Sequence, residues 1–158
     1  MRRVAAIALG SNLASEFGGP EQNLREAIKR VGELGELRGV SSWYDTAPVG
    51  FTEQPRFLNG ALLLETELAP VELMRALLGI ERAMGRDRSA APAKGPRVID
   101  LDLLLMGDLI LSSSELTLPH PAMAERRFVL EPLAEIAPAM VDPVSGRTVL
   151  AMLERLAG

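Results

Sequence analysis

The segment Arg97-Val98-Ile99-Asp100-Leu101-Asp102-Leu103-Leu104-Leu105 sets two carboxylates into an apolar run. In an extended strand successive side chains alternate faces, so Asp100 and Asp102 share one face and Ile99, Leu101, Leu103 and Leu105 the other. Two residues of strand rise span about 6.6–6.8 Å. Carboxylates at that spacing can converge on cations, and Mg²⁺ typically takes one or two carboxylates plus substrate phosphates. The alternative is a pair of solvent-facing aspartates on an edge strand. Aspartate is depleted in strands, and two in one apolar run repel unless a positive charge lies between them.

A basic segment runs directly into that strand. Arg86, Arg88, Lys94 and Arg97 stand against one acid, Asp87, among small residues, prolines and Gly95. Arginine forks match phosphate oxygens bidentately. A charge cluster by itself is more often a solvated loop. Its adjacency to the aspartates favours phosphoryl-type chemistry, with cations for phosphates beside carboxylates for a metal. Leu118-Pro119-His120-Pro121 holds a histidine between prolines, able to donate to a phosphate or a leaving oxygen, or to serve as a structural hydrogen-bonder. Asn59 is an amide in an apolar strand, with Phe57 on its face. Such a pair can read a flat heterocycle, and a satisfied core asparagine is equally consistent with it.

The elements that must carry these residues follow from periodicity. Val4–Leu9 is a short apolar strand ending at Gly10-Ser11-Asn12, which reads as a turn. Leu24, Ile28, Val31 and Leu34 make an amphipathic helix from Pro20 to Leu34. Leu37 to Thr46 reads as a second strand and Phe57 to Leu68 as a third, with the loop 47–56 between them. Pro70 opens a helix with Leu73, Leu77, Ile80 and Met84 on one stripe, and Gly85 ends it. Val98 to Met106 is the fourth strand. Beyond it come a loop through Ser112-Ser113-Ser114 and helical patterns near 128–136 and 148–156. The order β-α-β-β-α-β is that of the split, ferredoxin-like α+β fold: an antiparallel sheet with helices on one face, here with a C-terminal helical extension.

Composition bounds the rest. A chain of 158 residues fits a single domain, 1–158. It has no cysteine, which removes disulfides, thiolate metal sites and cysteine nucleophiles. The single histidine removes a His-rich zinc site. A net charge of −4 argues against a general nucleic-acid coat. No apolar run suits a membrane helix, and Val4–Leu9 is too short for the core of a signal peptide, so a cytoplasmic location is expected. There is no GxxxxGK[ST], GxGxxG or GxSxG, so a nucleotide-using enzyme here is not of the P-loop, Rossmann or protein-kinase type.

Five segments in order carry a family resemblance: Ala8-Leu9-Gly10-Ser11-Asn12-Leu13, Gln54-Pro55-Arg56-Phe57-Leu58-Asn59, Ile80-Glu81 through Gly85-Arg86, Gly95-Pro96-Arg97-Val98-Ile99-Asp100-Leu101-Asp102, and Leu118-Pro119-His120-Pro121. They span nearly the whole chain, which resembles the 6-hydroxymethyl-7,8-dihydropterin pyrophosphokinase family of folate biosynthesis. The resemblance implies transfer of the diphosphoryl group of ATP to the pterin's hydroxymethyl oxygen, with AMP as the other product. It implies that Asp100 and Asp102 bind a pair of Mg²⁺ ions and that Arg86 and Arg97 stabilise the transferred group. Glu81, Arg88, Arg97, Thr117, His120 and Arg126 match positions that contact ATP. Thr46, Val49, Phe57, Asn59 and Phe128 fall around the pterin, with Asn59 reading its edge and the two phenylalanines sandwiching the ring. The implied partners are these two small molecules, with no nucleic acid and no membrane, and a monomer is expected.

Overall fold

The computed structural model describes residues 2–46, 56–85 and 97–157. Its elements, in chain order, are β1 (Arg3–Ser11), α1 (Pro20–Val31), β2 (Glu36–Val40), β3 (Tyr44–Thr46), β4 (Phe57–Thr66), α2 (Pro70–Ala83), β5 (Asp100–Met106), β6 (Leu111–Ser112), β7 (Thr117–Leu118), α3 (Arg127–Ile136) and α4 (Val149–Ala157). Short 3-10 turns follow α1 and precede α3. The main sheet has the order β2-β4-β1-β5, with β3 paired to β4 beside β2. Every pairing is antiparallel. With β2 and β3 counted as one interrupted strand, this is the split β-α-β order read from the sequence, and the fold is α+β.

The helices begin as their sequences dictate. Proline at the first helical position of α1 and α2 has no N–H to leave unpaired. Gln22 Oε1 accepts from Gly19 N–H at 3.1 Å, and Glu72 Oε1 from Ala69 N–H at 2.9 Å, so each helix secures the residue before it. The apolar stripes of α1 and α2 pack on one sheet face, where Leu24, Ala27, Val31, Leu73 and Leu77 meet Ile7, Leu9, Leu62, Leu64, Leu101 and Leu103. Truncating any fully buried leucine or isoleucine of this set to alanine costs about 2–5 kcal/mol.

The opposite face is also built upon. Ala6, Ala8 and Ala61 are small, and α3 and α4 lay Val129, Leu130, Leu133, Val149 and Met152 over that region with Leu104 and Leu105. The C-terminal helices therefore cover part of the second face, while α1 and α2 keep to the first.

Two local departures have clear causes. The expected second strand, Leu37 to Thr46, is interrupted at Ser41–Trp43. There Ser41 Oγ accepts from Ala61 N–H at 2.9 Å, and the Trp43 ring lies over Gly60. A Cβ on Gly60 would come within 2.6 Å of that ring, so only glycine admits it. The segment read as a loop around Ser112 contains the hairpin β6–β7, paired Leu111 with Leu118 and Ser112 with Thr117. Ser113 closes its turn through both backbone and Oγ bonds to Leu116. Arg75 of α2 grips the hairpin through a two-pronged bond to Glu115.

Candidate active site

Strand register decides what lies beside what. Tyr44 is opposite Asn59, Asn59 opposite Gly10, and Gly10 opposite Asp100. Residues directly opposed across an antiparallel pair point to the same face. Asn59, Gly10 and Asp100 therefore form one row across β4, β1 and β5, on the face that carries α3 and α4. The next row holds Ala61, Ala8 and Asp102. Two strand spacings separate Asn59 from Asp100, about 9–10 Å between backbones. Between the amide at one end and the carboxylates at the other, the floor is Gly10 and Ala8.

The amide end is organised by hydrogen bonds. Asn59 Nδ2 donates to Thr46 Oγ1 across the β3–β4 pair. Its Oδ1 rests over Gly10, 2.9 Å from where a Cβ would stand, and Phe57 Cδ1 lies 3.7 Å from the same point. Glycine at position 10 thus leaves room for the Asn59 amide, and Phe57 lies beside it at ordinary contact distance. The edge strand β3 is held to α3 by Glu135. Its Oε2 accepts from Ser42 N–H at 2.9 Å, and its Oε1 accepts from Ser42 Oγ at 2.7 Å and Tyr44 Oη at 2.8 Å. These bonds, led by those from Ser42, hold the Glu135 carboxyl below its usual range. The Tyr44 hydroxyl is pushed above its usual value, first by its bond to Glu135 and then by desolvation.

At the carboxylate end, Arg97 Nη1 donates to Asp100 Oδ2 at 3.1 Å, with both side chains mostly sheltered. Arg97 Nε is buried and has no hydrogen-bond acceptor among the described residues. A buried guanidinium nitrogen without an acceptor is costly unless an anionic group meets it. Glu81 is 1% exposed and reaches from the end of α2 to accept from Leu101 N–H at 2.7 Å. It therefore fixes the backbone between the two aspartates.

His120 is anchored over β5, its N–H donating to Leu104 O at 2.9 Å. The Ala122 N–H donates to His120 Nδ1 at 3.2 Å, so the neutral ring carries its proton on Nε2. Burial is the main cause that lowers the pKa of His120. The Arg126 charge lowers it further, and Asp100 acts the other way. Arg126 stands over the Phe128 ring, its guanidinium carbon 5.8 Å from the centroid. Thr117 is exposed on the short strand leading to His120.

The structure thus brings together Asn59 with Thr46 and Phe57, Arg97 with Asp100, Arg126 with Phe128, and Glu81 with the strand of Asp100 and Asp102. Arg86, Arg88 and Val49 lie outside the described residues. Sequence reasoning missed Glu135, an exposed acid on an amphipathic helix with no motif around it. It also missed Asn12 and Asn23. Asn23 carried a usable signal, because it lies four residues before Ala27 on the buried stripe of α1.

The model of the family described as 7,8-dihydro-6-hydroxymethylpterin-pyrophosphokinase matches residues 6–138. The chain belongs to this pyrophosphokinase family. The 2-amino-4-hydroxy-6-hydroxymethyldihydropteridine pyrophosphokinase of Synechocystis is 42% identical over 154 residues, covering 96% of this chain and 75% of the relative. The Pseudomonas aeruginosa protein of the same name is 44% identical over 139 residues, covering 87% and 82% respectively. The fission-yeast folic acid synthesis protein fol1 is 36% identical, and the chain spans only 20% of its length. Among solved structures, the Plasmodium falciparum HPPK-DHPS triple mutant superposes with a TM-score of 0.74 at 14% identity. That match covers 98% of this chain and 43% of the larger one, and it shows the shared pyrophosphokinase fold.

Proposed function

We propose that this chain transfers the β,γ-diphosphoryl group of ATP to the hydroxymethyl oxygen of 6-hydroxymethyl-7,8-dihydropterin. Membership of the family assigns it pyrophosphokinase activity in folate biosynthesis. In the transfer, the hydroxymethyl oxygen bonds to the β-phosphorus, the bond from that phosphorus to the α,β-bridging oxygen breaks, and AMP leaves with that oxygen. The hydroxyl proton is released. Residues 1–158 act as one pyrophosphokinase domain, as a monomer with these two small molecules as its partners.

The observation that carries this reading is the row Asn59–Gly10–Asp100. A heterocycle reader and a phosphate-handling centre face each other across a floor without bulky side chains. Asn59, oriented by Thr46, reads the pterin edge, with Phe57 and Phe128 against the ring. Arg97 binds the transferred group, and its buried Nε, which has no acceptor among the described residues, supports that role. His120, as the Nε2–H tautomer, donates to a phosphate oxygen, with Arg126 and Thr117 on the same nucleotide side.

The donor set suits Mg²⁺. Asp100 and Asp102 are hard oxygen donors on one face, and no group of three or more His, Asp or Glu ligands gathers among the described residues. Two carboxylates leave coordination positions for phosphate and water, which is how Mg²⁺ is commonly held. Bound there, the ion supplies charge neutralisation for the triphosphate. Among the described residues no helix is long and apolar enough to cross a membrane.

The test is incubation with ATP, Mg²⁺ and the pterin, followed by identification of the nucleotide product. AMP formed only when pterin is present is expected. ADP would overturn the diphosphoryl assignment, and no turnover by folded protein would leave a binding module. Asp102→Ala should keep the fold and lose nearly all turnover. Near-normal turnover at saturating Mg²⁺ would remove Asp102 from the metal site.

A further inference from the structure

Gly10-Ser11-Asn12 follows the central strand, and nothing in the proposed transfer uses Asn12. Yet it is 2% exposed and makes a two-way contact with one residue. Its backbone N–H donates to Arg97 O at 3.0 Å, and its side-chain Oδ1 accepts from Arg97 N–H at 2.8 Å. Both main-chain polar groups of Arg97 are therefore engaged by a single residue. Three residues later Asp100 enters β5, and the Arg97 guanidinium turns back onto its carboxylate.

The loop that presents Asn12 is itself held from within. Asn23 of α1 is fully buried. Its Nδ2 donates to Ser11 Oγ at 3.2 Å and to Leu13 O at 2.8 Å, and its Oδ1 accepts from Ser15 Oγ. Ser15 and Gly18 close the loop with reciprocal backbone bonds of 2.8 and 3.1 Å. A buried side-chain amide satisfied at both ends fixes a backbone far more tightly than a solvated turn, because breaking it strands polar groups without water. The order of support runs from α1 through Asn23 to the loop, through Asn12 to Arg97, and through Arg97 to Asp100.

We propose that Asn12 is a positioning residue for the transfer reaction: it clamps the main chain of Arg97 so that the guanidinium is already set beside Asp100 before substrates arrive. The proposal rests on the role given to Arg97 above. An arginine side chain has several rotatable bonds, so its head group is aimed only if its backbone is fixed. A loss of aim of about 1 Å costs on the order of 100-fold in rate. Asn59 and Thr46, which organise the amide end of the row, take part in neither of the two clamp hydrogen bonds, so pterin recognition is read separately from it.

The experiment is a double-mutant cycle on the full chain with Asn12→Ala, Arg97→Ala and the pair, read by kcat, pterin KM and hydrogen exchange at the Arg97 amide. Asn12→Ala is expected to lower kcat by about 10–100-fold with pterin KM changed less than about twofold, and to speed exchange at Arg97. In the Arg97→Ala background, Asn12→Ala is expected to have no further effect on kcat, since the group it aims is gone. Equal losses in both backgrounds would overturn the proposal while leaving Arg97 in its role. An Arg97→Ala enzyme of full activity would overturn the role of Arg97 and the proposal with it. Faster exchange at Arg97 with unchanged kcat would make the clamp purely structural and also overturn it. If Asn12→Ala fails to fold, Asn12→Ser takes its place in the same cycle. It withdraws the acceptor oxygen from Arg97 N–H with a smaller change in the loop.

Discussion

Gly10→Ala is the substitution whose consequence can be worked most directly from the structure. A Cβ at position 10 would stand 2.9 Å from Asn59 Oδ1, where ordinary carbon–oxygen contact needs about 3.4 Å. The next nearest atom, Phe57 Cδ1 at 3.7 Å, is unaffected. The backbone of Gly10 is paired strand on both sides, which alanine accepts, so the strain falls on the Asn59 amide alone. That amide must retreat by roughly half an ångström, straining its bond to Thr46. Overpacking of this kind costs about 1–3 kcal/mol, and a side-chain end that can rotate places the stability cost at the low end. On the proposed role of Asn59 the larger effect is on recognition, because a weakened hydrogen bond of about 0.5–1.5 kcal/mol and a displaced acceptor would act on the same ligand edge. Pterin affinity should fall about tenfold, with ATP affinity unchanged within about twofold. Isothermal titration with each ligand measures both. In an Asn59→Ala background, Gly10→Ala should cost nothing further, since the oxygen it meets is absent. An unchanged pterin affinity for Gly10→Ala, or equal losses in both backgrounds, would refute the reasoning.

Three further outcomes follow. Glu135→Ala removes three hydrogen bonds, two from Ser42 and one from Tyr44 of β3, that tie the start of β3 to α3, all at the surface. Stability should therefore fall by only about 1 kcal/mol, while pterin KM rises several-fold through the loosened Thr46, as read by steady-state kinetics. Glu81→Leu leaves the buried Leu101 N–H without its acceptor and should destabilise the fold by about 1–3 kcal/mol, measured as a lowered urea midpoint at constant slope. His120 has a folded-state pKa below its ordinary 6.5, chiefly through burial. Its neutral form is the one the fold favours, so the associated stability is fully present above pH ~6.5 and is lost as pH falls through the lower folded value. The chain has a single histidine, so one imidazole proton signal titrates alone in NMR. A midpoint at or above 6.5 would contradict the sign.

The sequence carried a large part of this architecture because its signals are local. Periodicity located α1, α2 and the long strands, and prolines marked the first turns of both helices. Alternation alone placed Asp100 and Asp102 on one face, and adjacency tied Arg97 to them. The interruption of the second strand was not legible, since it depends on Trp43 finding Gly60 on another strand. Nor was β6–β7, whose four paired residues are too few to show a period.

Only the tertiary structure decided which residues meet. Register is a property of two strands at once, so no single strand announces that Gly10 lies between Asn59 and Asp100. Burial of polar groups is likewise non-local. Asn12 reads as a turn residue, and the stripe position of Asn23 says nothing of its partners; packing removes the water from both, and each amide must find a partner in the protein. Residue types and short spacings determined the chemistry available to this chain, because alternation and charge act within a few residues. The sheet's pairing and the closure of its core determined where that chemistry is aimed, because both depend on contacts between distant parts of the chain.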